Sequence, residues 1–279
     1  MDTLFHYTNI ESLALILKNK TIRFNSLDNM DDLQENITKD VQNAGQFTYV
    51  SCWTDKIKEN IALWKQYTDH DSGVRIELPK HPFKKYDSTK YIEIIRQNTN
   101  LNVISNEQLI TIINFDDMMI KDYSTFTIGE IQLIPIEYTE NEDDLVPRIV
   151  YNSKDNIEIF MDRIGRYKDE AWRYQYEWRY KIQFAPVNFL EGIRNNQEKF
   201  VEVYNKIING TAVQPFKYYD FVIADNAFDQ MKITLSPTIT AGNEELIRCF
   251  AERYNPKAEI FESKFKGLIR WLTVVQYLS

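Results

Sequence analysis

"YEWRYKIQF", residues 176–184, is the stretch on which the fold turns. Tyr176, Trp178, Tyr180, Ile182 and Phe184 alternate strictly with Glu177, Arg179, Lys181 and Gln183. A period of two is that of a β-strand with one apolar and one polar face. The apolar face predicts a sheet core, and the polar face has two readings. In one, Glu177 and Arg179 form a solvent-facing i, i+2 ion pair worth about 1 kcal/mol or less. In the other, a carboxylate steadied by a guanidinium lies on the floor of a cleft, where it stabilises developing positive charge or holds a sugar hydroxyl. Periodicity leaves both open.

Working outward, the chain start alternates strand and helix. Residues 3–8 form a short apolar and aromatic run, and Asn9 can cap "IESLALILKNK", in which Ile10, Leu13, Ile16 and Leu17 share a helical face. "TIRFNS" (21–26) alternates as a second strand, and the acid-rich "LDNMDDLQEN" reads as a loop entering a helix. "FTYVSCW" (47–53) and "GVRIEL" (73–78) are β-rich, and between them "KENIALWKQYTD" (58–69) sets Ile61, Trp64 and Tyr67/Thr68 at helical spacing. Residues 80–127 mix their periodicities, and an insertion or helical lobe is placed there. "IGEIQLIPIEYT" (128–139) is β-rich, with Pro135 pointing to an edge or a strand end, and a helix-like segment spans roughly 154–172. "YYDFVIADN", "KITLSP", "GNEELIRCFAERYN" and "AEIFESKF" repeat strand, strand, helix, strand. No linker composition or internal repeat interrupts the chain. The expectation is a single α+β domain over residues 1–279, with a mixed or antiparallel split sheet flanked by helices.

Composition narrows the function classes. A chain of 279 residues, 43% hydrophobic, buries roughly 70–75% of its unfolded surface and needs neither disulfide nor metal to fold. A net charge of −8 disfavours a surface that grips nucleic acid everywhere, while leaving room for a local basic groove. Cys52 and Cys249 match no paired-cysteine motif and read as buried thiols. The N-terminus lacks the basic start and apolar run of a signal peptide, and no run of some 18 apolar residues predicts a membrane span. The expected address is therefore cytoplasmic, with no membrane partner.

Phosphate-cradling glycine loops and the nucleophile elbow are absent from the sequence. Its eight glycines are well below the roughly 7% of average composition, so a nucleotide would be held mainly by side chains. His6, His70 and His81 with Asp31 and Asp32 lack metal-ligand spacing, and no metal is expected. Cys52 could pair with His6 or His70 as a nucleophile only if the fold brings them together. On the first strand, Leu4, His6 and Thr8 fall on one face and Phe5 and Tyr7 on the other. Trp64 and Tyr67, one helical turn apart, pack a core or wall a site for a flat ring.

"FHYTNIESLALILKNKTIRFNSLDNMDD", "VSCW", "ALWKQY", "GVRIEL", "YEWRYK" and "ITLSPTIT…NEELIRCF", in this order, resemble the bacterial family known as domain of unknown function 2971. Its marks are an H-Y-T start, a W-x-x-Y helix and an E-W-R strand, and the likeness runs over nearly the whole chain. The opening H-Y-T strand, the following helix and "RFNS" also resemble the entry to ADP-ribosyltransferase-like folds. That second resemblance implies NAD as substrate and cleavage of the nicotinamide–ribose bond through a sugar cation. It implies His6 on the ribose, Tyr67 or Trp64 against nicotinamide, and Glu177 as the stabilising carboxylate. Thr8, Ser26 and Arg179 would supply further polar contacts, and Asp31 would order a loop over the pocket. On that basis the chain is expected to be an NAD-consuming ADP-ribosyltransferase or glycohydrolase-like effector, in phage defence or a toxin system, acting on a protein or nucleic-acid acceptor. The alternative is a module that binds a small nucleotide or a nucleic-acid end without turnover.

Overall fold

The computed structural model describes residues 2–69, 71–87, 89, 93, 110–114, 116–117, 123–125, 130–152, 157–185 and 197–270. His70 and most of the insertion expected at 80–127 lie outside these residues. In chain order the strands are β1 (Thr3–Asn9), β2 (Thr21–Ser26), β3 (Thr48–Thr54), β4 (Gly73–Pro79), β5 (Tyr86–Asp87), β6 (Ile110–Thr111), β7 (Ser124–Thr125), β8 (Gln132–Pro135), β9 (Glu137–Thr139), β10 (Val150–Asn152), β11 (Ile157–Ile159), β12 (Tyr167–Asp169), β13 (Glu177–Ala185), β14 (Tyr218–Val222), β15 (Lys232–Leu235) and β16 (Glu259–Phe261). With the helices among them they make a mixed α/β protein whose strand pairings are mostly antiparallel. The chain divides into two compact units, each discontinuous: Met1–Thr21, Trp53–Phe83 and Val222–Ser279 form the first, Ile22–Cys52 and Lys84–Phe221 the second.

In the first unit β1 lies antiparallel to β4 along its whole length, from Thr3 opposite Pro79 to Asn9 opposite Gly73. β15 pairs antiparallel with the other side of β4 and parallel with β16. Asn9 ends β1 and starts helix α1 (Ile10–Asn19), its side chain accepting from the Ser12 N–H at 3.0 Å, which satisfies one of the amides a helix start leaves unpaired. Asn60 caps helix α2 (Ile61–Tyr67) in the same way, through the Ala62 N–H. α1 packs against the helix Ala241–Tyr254, and Leu13, Ile16, Leu17, Ile247 and Ala251 are buried. Cys249 on that second helix is exposed, contrary to the buried thiol expected, because it lies away from the Ile247 and Ala251 side.

In the second unit β13 pairs antiparallel with β7 and β8 and also pairs with β3. Pro135 closes β8, where its missing N–H removes nothing from the ladder. The apolar face of β13 is a core face, as its alternation predicts: the Phe184 ring lies 5.2 Å from Tyr49 and 5.2 Å from Tyr123, both edge-on. The polar face departs from the solvent-exposed reading, since Glu177, Arg179 and Lys181 are buried too. The Arg179, Lys181 and Gln183 side chains serve as hydrogen-bond donors to a neighbouring stretch of backbone. Gln183 Nε2 donates to the Met161 carbonyl at 2.6 Å, Lys181 Nζ to the Asp162 and Ile164 carbonyls at 2.5 and 3.2 Å, and Arg179 Nη1 to the Gly165 carbonyl at 3.1 Å.

This ladder explains a second correction. The helix expected over 154–172 is absent among the described residues of that range, which form β11, a single 3-10 turn at Met161–Arg163, β12 and the start of a 3-10 turn at Glu170–Gln175. A helix would spend its carbonyls on its own amides, whereas here they are taken by β13 side chains. Gly165 also sits at φ +68, a left-handed conformation that interrupts helical dihedrals. The acid-rich stretch after β2 likewise forms short 3-10 turns, Leu27–Asn29 and Leu33–Asn36, in place of a regular helix. Asp32 bonds the Gln34 N–H and Ser26 bonds Asp28, local pairings that compete with helix propagation.

Candidate functional site

The most concentrated set of ionisable groups among the described residues lies at the start of β13. Tyr176, at φ 46, turns the chain out of the Glu170–Gln175 turn and delivers Glu177 to the strand. Arg179 follows two residues on and so shares its face. Arg179 Nε donates to Glu177 Oε1 at 2.8 Å and Nη2 lies 2.7 Å from the same oxygen. Nη1 and Nη2 reach the two carboxylate oxygens of Glu35, and the second Nη1 proton goes to Gly165. All five donors of the guanidinium are thereby used. From β12, Lys168 Nζ lies 2.8 Å from Glu177 Oε2, 3.0 Å from Gln175 Oε1 and 3.6 Å from Glu35 Oε2. Two cations and two carboxylates, each side chain no more than 4% exposed, form one closed cluster.

Burial and mutual attraction compete in setting the charge of each member of the cluster. Burial works to raise the Glu177 carboxyl, but the Arg179 and Lys168 charges, with hydrogen bonds from the Cys52 thiol and Lys168, outweigh it and bring Glu177 down to about 2. Burial is the larger influence on Glu35, which is raised. Burial opposes the charge on Arg179 and Lys168, and the two carboxylates overcome it, raising both cations. The half-buried Cys52 thiol is pushed far up, by desolvation first and by Glu177 second, so it is a hydrogen-bond donor here and not a ready nucleophile. Lys181, the next residue on that face of the strand, is lowered to about 8 by burial, with the Asp162 charge only partly offsetting it and the Arg179 and Arg166 charges adding to it.

The other residues singled out in the sequence fall in separate surroundings. His6 is half-buried on β1, its ring 5.1 Å from that of Trp53. Thr8 shares the His6 face and is buried opposite Val74. Tyr7 points to the other face and meets Trp64 edge-on at 4.9 Å, with Leu63 and Tyr67 completing that cluster. Trp64 is 1% exposed and gives its indole N–H to Glu59 at 3.0 Å, so it is a core residue with no free ring face. His6 and the Trp64/Tyr67 pair therefore lie on opposite faces of the β1 strand. Ser26 is buried and its hydroxyl is occupied by Asp28, Asn29 and the Lys217 carbonyl. Asp31 is exposed and accepts from the Asp32 N–H. No group of three or more His, Cys, Asp or Glu among the described residues is placed to hold a metal ion.

Glu35 and Lys168 were not legible as partners of Glu177. Glu35 sits in an acid-rich stretch without periodicity, and Lys168 in a segment whose spacing suggested helix. Charge balance was the one available signal: two acids and two bases that the fold gathers and neutralises.

Fold and cluster together define a mixed α/β protein organised in one of its units around a sheet strand with a buried, closed ion network. Its segment 63–180, which carries the W-x-x-Y helix, Lys168 and the E-W-R strand, matches the family described as "Protein of unknown function (DUF2971)". No curated protein and no solved structure matches the chain.

Proposed function

We propose that the protein recognises a nucleotide-type ligand without cleaving it. The observation that carries this reading is the saturation of Glu177, the carboxylate a sugar cation would need. Oε1 takes two contacts from Arg179, and Oε2 takes Lys168. Stabilising a developing charge requires donors or acceptors aimed at the reacting atoms, and this carboxylate is aimed at its own cations. Recognition then rests on polar and aromatic side chains such as His6, consistent with a chain poor in glycine loops.

The experiment incubates the protein with NAD and measures released nicotinamide, alongside thermal unfolding with NAD, mononucleotides and short nucleic-acid ends. A ligand at 100 times its dissociation constant adds about 2.7 kcal/mol of stability. The expected outcome is a rise in melting temperature with one nucleotide class and no nicotinamide. Nicotinamide release by the wild-type protein, with or without a macromolecular acceptor, would restore the second reading. That reading is an ADP-ribosyltransferase-like fold consuming NAD in a bacterial defence or toxin role, and it is favoured by one feature: Glu177 is ionised at neutral pH.

A further inference from the structure

Arg75 is a second buried arginine, and its surroundings are the reverse of those of Arg179. It lies on β4 opposite Tyr7 of β1 and Thr234 of β15, so the three side chains share a sheet face. It is 9% exposed. Its Nη1 donates to the Ile57 carbonyl at 2.9 Å, its guanidinium lies 4.5 Å from the Phe5 ring centroid and 6.0 Å from that of Tyr7, and its buried Nε has no hydrogen-bond partner. No carboxylate pairs with it among the described residues. Glu77, two residues along the same face, is taken by Lys232 at 3.4 Å. Glu59, the other acid near Tyr7, is taken by the Trp64 indole, the Ser263 hydroxyl and the Lys264 N–H. The Tyr7 hydroxyl oxygen accepts from the Asn60 N–H at 3.0 Å and from the Arg75 side chain, which leaves its own proton to donate and Nε as the unspent donor of Arg75.

A buried guanidinium left with unused donors is costly, and a cation over aromatic rings offsets only part of that cost. The group that completes such a site is an anion able to accept from a planar fork, as phosphate and carboxylate oxygens do. We propose that Arg75, with the hydroxyls of Tyr7 and Thr234, forms a binding site for the oxyanion group of a small ligand, a phosphate or a carboxylate. The site lies on the face of β1 opposite His6 and does not depend on the reading of His6 and Glu177 given above.

Wild type, Arg75→Met and Arg75→Lys are titrated with sodium phosphate and with sodium acetate against sodium chloride at equal ionic strength. Melting temperature and tryptophan fluorescence are followed, the latter because Trp64 packs on Tyr7. Wild type is expected to respond saturably to one oxyanion, with a melting rise of a few degrees beyond the chloride control. Arg75→Met should fold and lose that response, and Arg75→Lys, which keeps the charge without the fork, should bind roughly tenfold more weakly. A phosphate response assigns a phosphorylated ligand and an acetate response a carboxylate. The proposal is overturned if wild type shows no saturable response to either salt, or if Arg75→Met responds as wild type does.

Discussion

Arg179 and Arg75 are both arginines buried on sheet strands, and they differ in how their donors are spent. Arg179 spends all five on Glu35, Glu177 and Gly165, whereas Arg75 has one carbonyl, the Tyr7 hydroxyl, ring faces and an orphaned Nε. The contrast teaches that burial of a charge does not by itself mark a functional site. A saturated network holds backbone in place, and donors left over create a demand for a ligand. The first arrangement ties the Gly165 carbonyl to the ion cluster, and the second leaves the other unit a buried donor that its own side chains do not satisfy.

The largest effect expected from breaking this comparison comes from Arg179→Met. It leaves Glu35 and Glu177 buried without their principal cation, and loss of one partner of a buried ion pair costs about 3–5 kcal/mol. Urea unfolding should show that loss, and the matched Arg75→Met, which removes a charge with no acid partner, should show a far smaller change or a gain. Equal losses from the two substitutions would erase the distinction.

Lys181 gives the next effect, through pH. Its folded value of about 8 lies below the ordinary lysine value, so between pH 8 and about 10.4 the unfolded chain binds more protons than the folded one. The contribution of Lys181 to stability therefore rises with pH through that window, by on the order of 3 kcal/mol in total. Cys52, Lys168 and buried tyrosines such as Tyr180 and Tyr219 are shifted up and act in the opposite direction, so the readout is the difference between wild type and Lys181→Met: from pH 7 to 10.5 the urea midpoint of wild type should gain on that of the variant. A constant difference between the two midpoints would contradict the lowered Lys181 ammonium.

Gly165 tests the receiving side of the ladder. At φ +68, with an added Cβ coming 2.7 Å from Leu27 Cδ1 and 3.3 Å from Arg179 Nη1, Gly165→Ala should cost about 1–3 kcal/mol. Differential scanning calorimetry would read it as a drop of several degrees. An unchanged melting temperature would mean that the turn is not held by its contacts with β13.

Period and capping were enough to place β1, α1, β2, α2, β4, β13 and the helix Ala241–Tyr254, because each carries its pattern in consecutive residues and its cap in an adjacent one. The alternation of β1 also placed His6 and Tyr7 on opposite faces. The same local logic failed over 154–172, where the carbonyls are claimed by side chains from β13, up to 22 residues away in sequence. It failed too for Glu35, brought to Arg179 across a separation of 144 residues.

By itself, then, the sequence determined a strand at 176–184, within one residue of the observed Glu177–Ala185, and which of its residues share a face. Only the tertiary structure decided that both faces are buried, since alternation records the polarity of a face and says nothing about what covers it. It also decided which arginine is satisfied. The donors of a guanidinium are fixed by its covalent structure, but their acceptors come from distant parts of the chain, and no local pattern encodes the difference between Arg179 and Arg75.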